Sequence, residues 1–162
     1  MVVQSTRVEP AALDLGYLGL FLGLRFNELV RARIHAAGFR RVRDSHGFVI
    51  QHLIESDRSI TELAARMGVT QQAASKSVAE LVALRVVRAA PGDDRRAKRI
   101  GLSPRGWKAV HASRRARRTI ERQLLKTIQR RDYAAAQRTL IRCLEALGGI
   151  DRIQTRRVRA LT

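Results

Sequence analysis

The middle of the chain constrains the fold most, because a pair of short helices is followed there by a two-stranded ribbon. Ser59-x-x-Glu62 is a capping box that begins the first helix. Gly68 ends that helix, and Thr70 can cap a second one that runs to Leu84. Two short apolar runs follow, separated by a Pro-Gly break and a group of opposite charges. This order predicts a helix-turn-helix followed by a β-hairpin, or wing, with a charged tip.

The turn between the two helices has the residues that a helix-turn-helix requires. Ala64 is small enough for the second helix to cross the first there, and Gly68 can adopt a positive φ. The first turns of such a second helix face the DNA major groove, where amide, hydroxyl and ammonium groups can reach base edges. The residues that fit are Gln71, Gln72, Ser75 and Lys76. The alternative is that they only form a helix start on a solvated face.

The charge of the chain favours a polyanion as partner. The sequence has 32 Lys and Arg against 14 Asp and Glu, for a net charge of +18. Most of the basic residues are Arg, whose planar fork suits phosphates and guanine edges. We therefore expect double-stranded DNA as the partner. The competing interpretation is a sequence-independent DNA-coating or architectural protein, or an RNA binder, in which charge supplies affinity and nothing supplies selection.

Cysteine content and hydropathy predict a cytoplasmic protein without a membrane partner. The single cysteine, Cys143, excludes an internal disulfide, and its spacing in the last helix is typical of a buried packing residue. Residues 1–10 lack the layout of a secretory signal. The longest apolar run, residues 15–24, is about half the length of the roughly 20 residues that a membrane span needs.

Helices precede the central part of the chain. Apolar periodicity predicts a long helix over residues 10–37. Between Gly16 and Leu24 this helix is apolar on nearly every side, which is more than one core needs and implies contact with a second subunit. Ser45 can cap the next helix.

Two further helices are predicted after the wing. The first begins at Ser103-Pro104, and its apolar stripe comprises Trp107, Val110, Ile120, Leu124 and Ile128. Its basic run, residues 114–118, is either a solvated face or a phosphate contact. Asp132 can cap the last helix, which Gly148-Gly149 ends. The side chains expected to point inward from it include Leu140, Ile141, Leu144 and Leu147.

This order of elements resembles the MarR family of transcriptional regulators, from about Leu13 to Leu147. The most specific signal is Asp94-Arg95-Arg96-Ala97-Lys98 followed by Ile100-Gly101-Leu102-Ser103-Pro104-Arg105-Gly106. It is similar to the family's wing signature, an Asp-x-Arg run leading into Leu-Thr/Ser-x-x-Gly. The resemblance implies a mainly α fold with a small β-hairpin wing, a winged helix-turn-helix with long N- and C-terminal dimerisation helices. Residues 1–162 would form one such domain, with dimerisation helices at 10–37 and 104–150 and the DNA-binding part at 45–103.

The resemblance also implies a function and its site residues. Such regulators are homodimers that bind palindromic operators, and a small phenolic or other lipophilic ligand, or thiol oxidation, usually relieves their repression. On this pattern Arg96 enters the minor groove and Asp94 orients it, while Arg95 and Lys98 lie near phosphates. The residues that match the family's major-groove positions are again Gln71, Gln72, Ser75 and Lys76.

The resemblance also implies an effector pocket, and at some positions the sequence differs from the family pattern. Helix faces and family geometry give the lining of a pocket between the first, second and fifth helices as Phe21, Arg25, His46 and Phe48. Arg85 stands where the family usually has a glycine at the end of the recognition helix. Ala73 and Ser77 replace a larger polar and an apolar residue. The first helix has no cysteine of the kind that peroxide-sensing members carry.

Catalysis and metal binding find little support in the sequence. Asp93 and Asp94 are adjacent in a loop, so their side chains should diverge, and neither a Cys-His constellation nor a phosphate-binding glycine loop is present. His46 and His52 lie six residues apart, whereas two ligands on one helix face lie roughly three or four apart. His35 and His111 could join them only through the fold. We expect no enzyme activity, no cofactor and no metal site.

Overall fold

The computed structural model describes residues 8–91 and 98–155. This part of the chain is mainly helical with an antiparallel hairpin, which confirms the predicted fold class. The helices are α1 Leu15–Ala36, α2 Asp44–His52, α3 Ile60–Met67, α4 Gln71–Ala83, α5 Pro104–Thr127, α6 Arg130–Ala146 and α7 Ile150–Gln154. The strands are β1 Val87–Pro91 and β2 Lys98–Leu102. Helix α7 was not predicted.

One apolar cluster unites α2, α3, α4, the hairpin and the start of α5. Its most completely buried side chains are Val49, Leu63, Leu81 and Val86. Arg58, between α2 and α3, exchanges two backbone hydrogen bonds of 2.9 and 2.7 Å with Ile100 of β2. The hairpin is therefore joined to the helix-turn-helix by backbone pairing as well as by apolar contact.

Helix α1 packs along α5 through small side chains. The buried residues of α5 on this side are Ala109, Ala112, Ala116 and Ile120. At the ends of the predicted stripe, Trp107 is 37% exposed and Ile128, which follows α5, is 39% exposed in the single chain. Close approach of two helices favours small residues on the contact face, so the large ring of Trp107 is left on the outside.

The predicted starts of the first and last long helices were wrong by a few residues. Pro10–Ala12 forms a separate 3-10 turn, and α1 begins after Asp14, whose carboxylate accepts a hydrogen bond of 2.9 Å from the N–H of Tyr17. Helix α6 begins after Gln129. Asp132 therefore lies within the first turn of α6, where its charge favours the positive end of the helix but does not cap it.

Helices α1, α3, α4 and α6 are each followed by a residue in the left-handed region. Three of these residues are glycines, namely Gly38, Gly68 and Gly148. After α4 the residue is Arg85, with a φ of 57°. Its N–H bonds to the carbonyl of Val82 (2.8 Å), and the N–H of Val86 bonds to that of Leu81 (2.9 Å), which is the Schellman pattern of a helix end. The turn without a glycine is thus made by an arginine in a conformation that costs free energy.

Large apolar surfaces of α1 and α6 are exposed in the single chain. The exposed fractions lie between 41% and 56% for Leu15, Tyr17, Leu18, Leu20, Phe21, Leu22 and Leu24. No described residue of α6 is buried. The expected inward orientation of its apolar residues is therefore not seen in one chain, where exposures of at least 36% are found for Leu140, Ile141, Leu144 and Leu147. Among residues 8–91 and 98–155, no helix combines the length and hydropathy that crossing a bilayer requires.

Candidate nucleic-acid interface and effector cavity

Helix α4 presents a polar face at its start and buries the opposite face. Thr70 Oγ1 accepts a hydrogen bond of 3.2 Å from the N–H of Ala73, as the predicted cap requires. The buried side of α4 consists of Ala74, Val78 and Leu81. The predicted base-reading residues are all exposed, namely Gln71, Gln72, Ser75 and Lys76. Their side chains are accessible to a partner on a helix that the core holds in place.

Of the residues predicted to contact DNA from the wing, only Lys98 lies within the described part of the chain. The ladder of the hairpin runs from Val87 opposite Leu102 to Pro91 opposite Lys98, at the outer end. Lys98 is exposed there. The other predicted wing residues lie outside the described residues, and their roles stay predictions: Asp94, Arg95 and Arg96.

Two arginines of the hairpin form ion pairs with the start of the helix-turn-helix and the loop just before it, and sequence patterns did not predict them. Arg88 of β1 pairs with Asp57 at 2.9 Å. Arg99 of β2 pairs with Glu62 at 3.3 Å and donates a hydrogen bond of 2.7 Å to the backbone carbonyl of Asp57. The pairs join segments at least 31 residues apart, so no local sequence pattern indicated them.

The position of Asp57 and the charge of Glu62 are both fixed by neighbouring residues. A Cβ on Gly101 would lie 2.0 Å from the Asp57 carboxylate, so the glycine leaves room for that side chain. The hydrogen bond from the backbone N–H of Ser59 lowers the pKa of Glu62, and the guanidinium of Arg99 also contributes. Glu62 is therefore ionised both as the capping-box acid and as the partner of the hairpin.

His46 joins α2 to α4. Its ring is 2% exposed, with Nε2 lying 2.9 Å from Glu80 Oε2 and Nδ1 accepting a hydrogen bond of 3.2 Å from the N–H of Arg43. Because Nδ1 accepts, the ring proton is on Nε2 and is donated to Glu80. The Arg43 guanidinium binds the same carboxylate, and the hydrogen bonds from His46 and Arg43 lower the pKa of Glu80. The Ser45 cap prediction was wrong: α2 begins at Asp44, and its cap residue is Arg43, whose N–H is accepted by the His46 ring as in a capping box.

A half-open cavity of about 330 Å³ lies between α1, α2 and α5. Of the four residues predicted for the effector pocket, Phe48 lines it. Asn27 is the first α1 residue at the cavity, so the exposed Phe21 and Arg25 lie beyond it toward the start of the helix. His46 does not line it because its ring is turned toward α4. The apolar lining comprises Val30, Ile34, Val42, Phe48, Ile50, Ile54, Ala109 and Val110.

The charged lining of the cavity is mainly basic. Its arginines are Arg31, Arg43, Arg114 and Arg117. Asp44 is the carboxylate among the lining residues, and it pairs with Arg31 at 3.0 Å. Within residues 8–91 and 98–155, Arg114 and Arg117 have no acidic partner, and the Arg117 guanidinium lies 5.6 Å from the centre of the Phe26 ring. The cavity thus combines an apolar wall with uncompensated positive charge.

Two histidines of α2 and the cysteine of α6 differ in burial. His46 and His52 are buried at 2% and 5% exposure. Cys143 is half-buried rather than buried as predicted, because α6 is largely uncovered in one chain. In the part of the chain that the structure describes, no group of three or more His, Cys, Asp and Glu side chains is arranged to hold a metal ion.

Comparisons with known proteins agree with this geometry. Residues 42–97 match the sequence model of the MarR family. A comparison with curated proteins finds no significant match.

Several solved structures share the fold. The YusO protein from Bacillus subtilis gives a TM-score of 0.68 at 18% identity, covering 82% of this chain and 94% of that chain. MepR from Staphylococcus aureus, in a mutant form bound to an oligodeoxyribonucleotide, gives a TM-score of 0.63 at 16% identity, covering 83% of this chain and 99% of that chain. Wild-type MarR from Escherichia coli in its apo form gives 0.61 at 16% identity, with coverages of 82% and 98%. At these identities the likeness establishes the fold.

Proposed function

We propose that this chain, which belongs to the MarR family of transcription regulators, binds a specific DNA sequence as a homodimer. It represses transcription from a palindromic operator until a small lipophilic ligand releases it. The observation that carries the proposal is the exposed start of α4, where four side chains able to hydrogen-bond to bases stand on a helix whose other face is buried in the core.

The chemistry of these side chains suits the major groove. A glutamine amide can bond the N6 and N7 edge of adenine with both its groups, and a lysine ammonium can bond O6 and N7 of guanine. The wing adds a second contact in the proposal, with Arg96 in the minor groove oriented by Asp94. Arg95 and Lys98 neutralise phosphates and supply affinity that does not depend on sequence.

The exposed apolar surfaces of α1 and α6 support a homodimer. A contiguous exposed apolar surface on a soluble protein is typical of an interface. Both surfaces belong to the helices outside the helix-turn-helix, so covering them with a second copy leaves the start of α4 free. Two copies would then present two reading helices to the two halves of a palindrome.

The cavity between α1, α2 and α5 supports release by a small molecule. Its apolar wall suits a lipophilic body, and Arg114 and Arg117, which have no acidic partner among residues 8–91 and 98–155, suit an anionic group such as a carboxylate. We therefore expect lipophilic acids to be the effective class of ligand.

DNA binding measured over a range of salt concentrations tests the reading function. The operator is obtained by selection from random duplexes and by footprinting around the protein's own promoter. Binding to operator and scrambled duplexes should fall with salt in parallel, with the operator bound at least about a thousandfold more tightly. Gln72→Ala should reduce the difference in affinity between operator and scrambled duplexes without changing the slope of log affinity against log salt concentration. Lys98→Ala, the control, should weaken binding to both duplexes and reduce the slope by about one.

The net charge of +18 favours a second candidate function, a sequence-independent DNA-coating or architectural protein. In that case the two salt curves coincide at every concentration, and Gln72→Ala has no more effect on the operator than on the scrambled duplex. Coincident curves would contradict the specific regulator.

A further inference from the structure

We propose that Arg43 couples the cavity to the reading helix, because its guanidinium binds Glu80 of α4 when the cavity is empty and turns to the ligand when a lipophilic carboxylate enters. This inference rests on the proposed release by a ligand and names the residue that transmits it. Arg43 lines the cavity and is at the same time bound to α4.

Glu80 is a point at which α4 is attached to its surroundings by polar contacts. Its carboxylate accepts hydrogen bonds from both Arg43 and His46, while the apolar residues of α4 hold the opposite face. Lys76 lies four residues earlier on the same helix and belongs to the exposed reading face. A change in the contacts of Glu80 therefore alters the helix one turn away from Lys76, a proposed base-reading residue.

Arg43 is able to change partner at low cost. Its side chain is 62% exposed, and an exposed ion pair contributes little net free energy. The competing partner would lie in a cavity where Arg114 and Arg117 already attract an anion. Asp44 cannot repel it strongly, because Arg31 neutralises that carboxylate.

Competition for one guanidinium makes the two contacts thermodynamically linked. If the anion and Glu80 share Arg43, removing the Glu80 charge must strengthen anion binding, and removing Arg43 must weaken it. By reciprocity, a bound anion weakens the Arg43–Glu80 pair and loosens the attachment of α4.

Calorimetric titration of the full chain with 1-naphthoate tests this linkage, with 1-naphthalenemethanol as the uncharged probe of similar size. We expect Glu80→Gln to bind naphthoate about twofold to fivefold more tightly than wild type, and Arg43→Gln to bind it more weakly by a similar factor. The alcohol should not distinguish the variants. Glu28→Gln is the matched control, because it removes an exposed ion pair of 3.0 Å with Arg25, outside the cavity lining.

Equal affinities of wild type, Glu80→Gln and Arg43→Gln for naphthoate would overturn the proposal, and so would the absence of naphthoate binding to wild type. If Glu80→Gln does not fold, equal naphthoate affinities of wild type and Arg43→Gln still overturn the proposal, since the exposed Arg43 side chain can be replaced without opening the core. The titrations contain no DNA. A failure of sequence-specific DNA binding in the salt experiment is therefore distinguishable from a failure of the coupling.

Discussion

The hydroxyl of Ser103 donates a hydrogen bond of 2.6 Å to the backbone carbonyl of Arg85. The same hydroxyl accepts a bond of 3.0 Å from the N–H of Gly106. One side chain thus links the turn after α4 to the first turn of α5, the two points between which the hairpin is inserted. It also holds Arg85, at a φ of 57°, where the chain leaves the reading helix.

Arg85→Gly should stabilise the protein. Glycine removes the clash of Cβ with the following carbonyl in the left-handed region, although it gives the unfolded chain more freedom. The reference is Arg85→Ala, which removes the arginine side chain but keeps the strain. We expect the free energy of unfolding, measured with urea at one protein concentration, to be about 1 kcal/mol higher for the glycine variant than for the alanine variant. Equal values would show that Arg85 is not strained.

Gly106→Ala should destabilise the protein strongly. A Cβ at Gly106 would lie 2.1 Å from the carbonyl oxygen of Val86, a residue that is fully buried. Since backbone rather than a flexible side chain must move, we expect the free energy of unfolding, measured with urea, to decrease by about 2 kcal/mol or more.

The control for Gly106→Ala is Gly47→Ala in the interior of α2, where an added Cβ meets no atom within 4 Å. That variant should gain about 0.5 to 1 kcal/mol from helix propensity. A similar loss in both variants would contradict the close approach of Gly106 to Val86.

Glu62 should make stability depend on pH in the acid range. Its pKa is lowered in the folded chain, so its contribution is complete above the ordinary glutamate pKa of about 4.3 and is lost as pH falls through the lower, folded value. Because the side chain is 46% exposed, solvent screening limits the effect to about 0.5 kcal/mol or less. Between pH 6 and pH 3, the free energy of unfolding measured with urea should fall less steeply in Glu62→Gln than in wild type. Parallel curves would exclude this role.

Features that rest on neighbouring residues were predictable from the sequence. The capping box of Ser59 and Glu62, the Thr70 cap and the Ser103 cap each depend on a hydrogen bond between residues three apart, and all three are observed. The failure at Ser45 also concerns residues three apart, because the His46 ring accepts the N–H of the cap residue Arg43, the role that Glu or Gln has in a capping box. Sequence patterns for caps do not include histidine.

Contacts between distant segments were not predictable. The His46–Glu80 contact joins residues 34 apart, and the Arg99–Glu62 pair joins residues 37 apart. The alanine stripe of α5 likewise depends on how closely α1 approaches it. The helices around the cavity followed from family geometry. The residues that line it depend on the relative positions of α1 and α5, which local sequence does not give. Phe48 therefore lines the cavity as expected, whereas Phe21 does not.

Leu144→Glu should separate the proposed dimer. In the single chain Leu144 is 36% exposed, so a glutamate carboxylate there can reach solvent, whereas burying it between two copies is unfavourable. We expect the dimer dissociation constant, measured by sedimentation equilibrium, to rise about tenfold or more. Gln137→Glu adds the same charge at an exposed polar position of α6 and is the control. An unchanged dissociation constant for Leu144→Glu would remove α6 from the interface.

Arg96→Ala should weaken operator binding by about 1 to 3 kcal/mol, and by more than Arg157→Ala does, because a guanidinium in a narrow minor groove meets a concentrated negative potential. If Asp94 acts by orienting Arg96, then Asp94→Ala should weaken binding in wild type and have little effect once Arg96 is alanine. Fluorescence anisotropy with operator DNA at a fixed salt concentration measures all four proteins of this cycle. Equal losses from Arg96→Ala and Arg157→Ala would mean that both arginines act only through the net charge, and additive losses from Asp94 and Arg96 would separate the carboxylate from the arginine that it is proposed to steer.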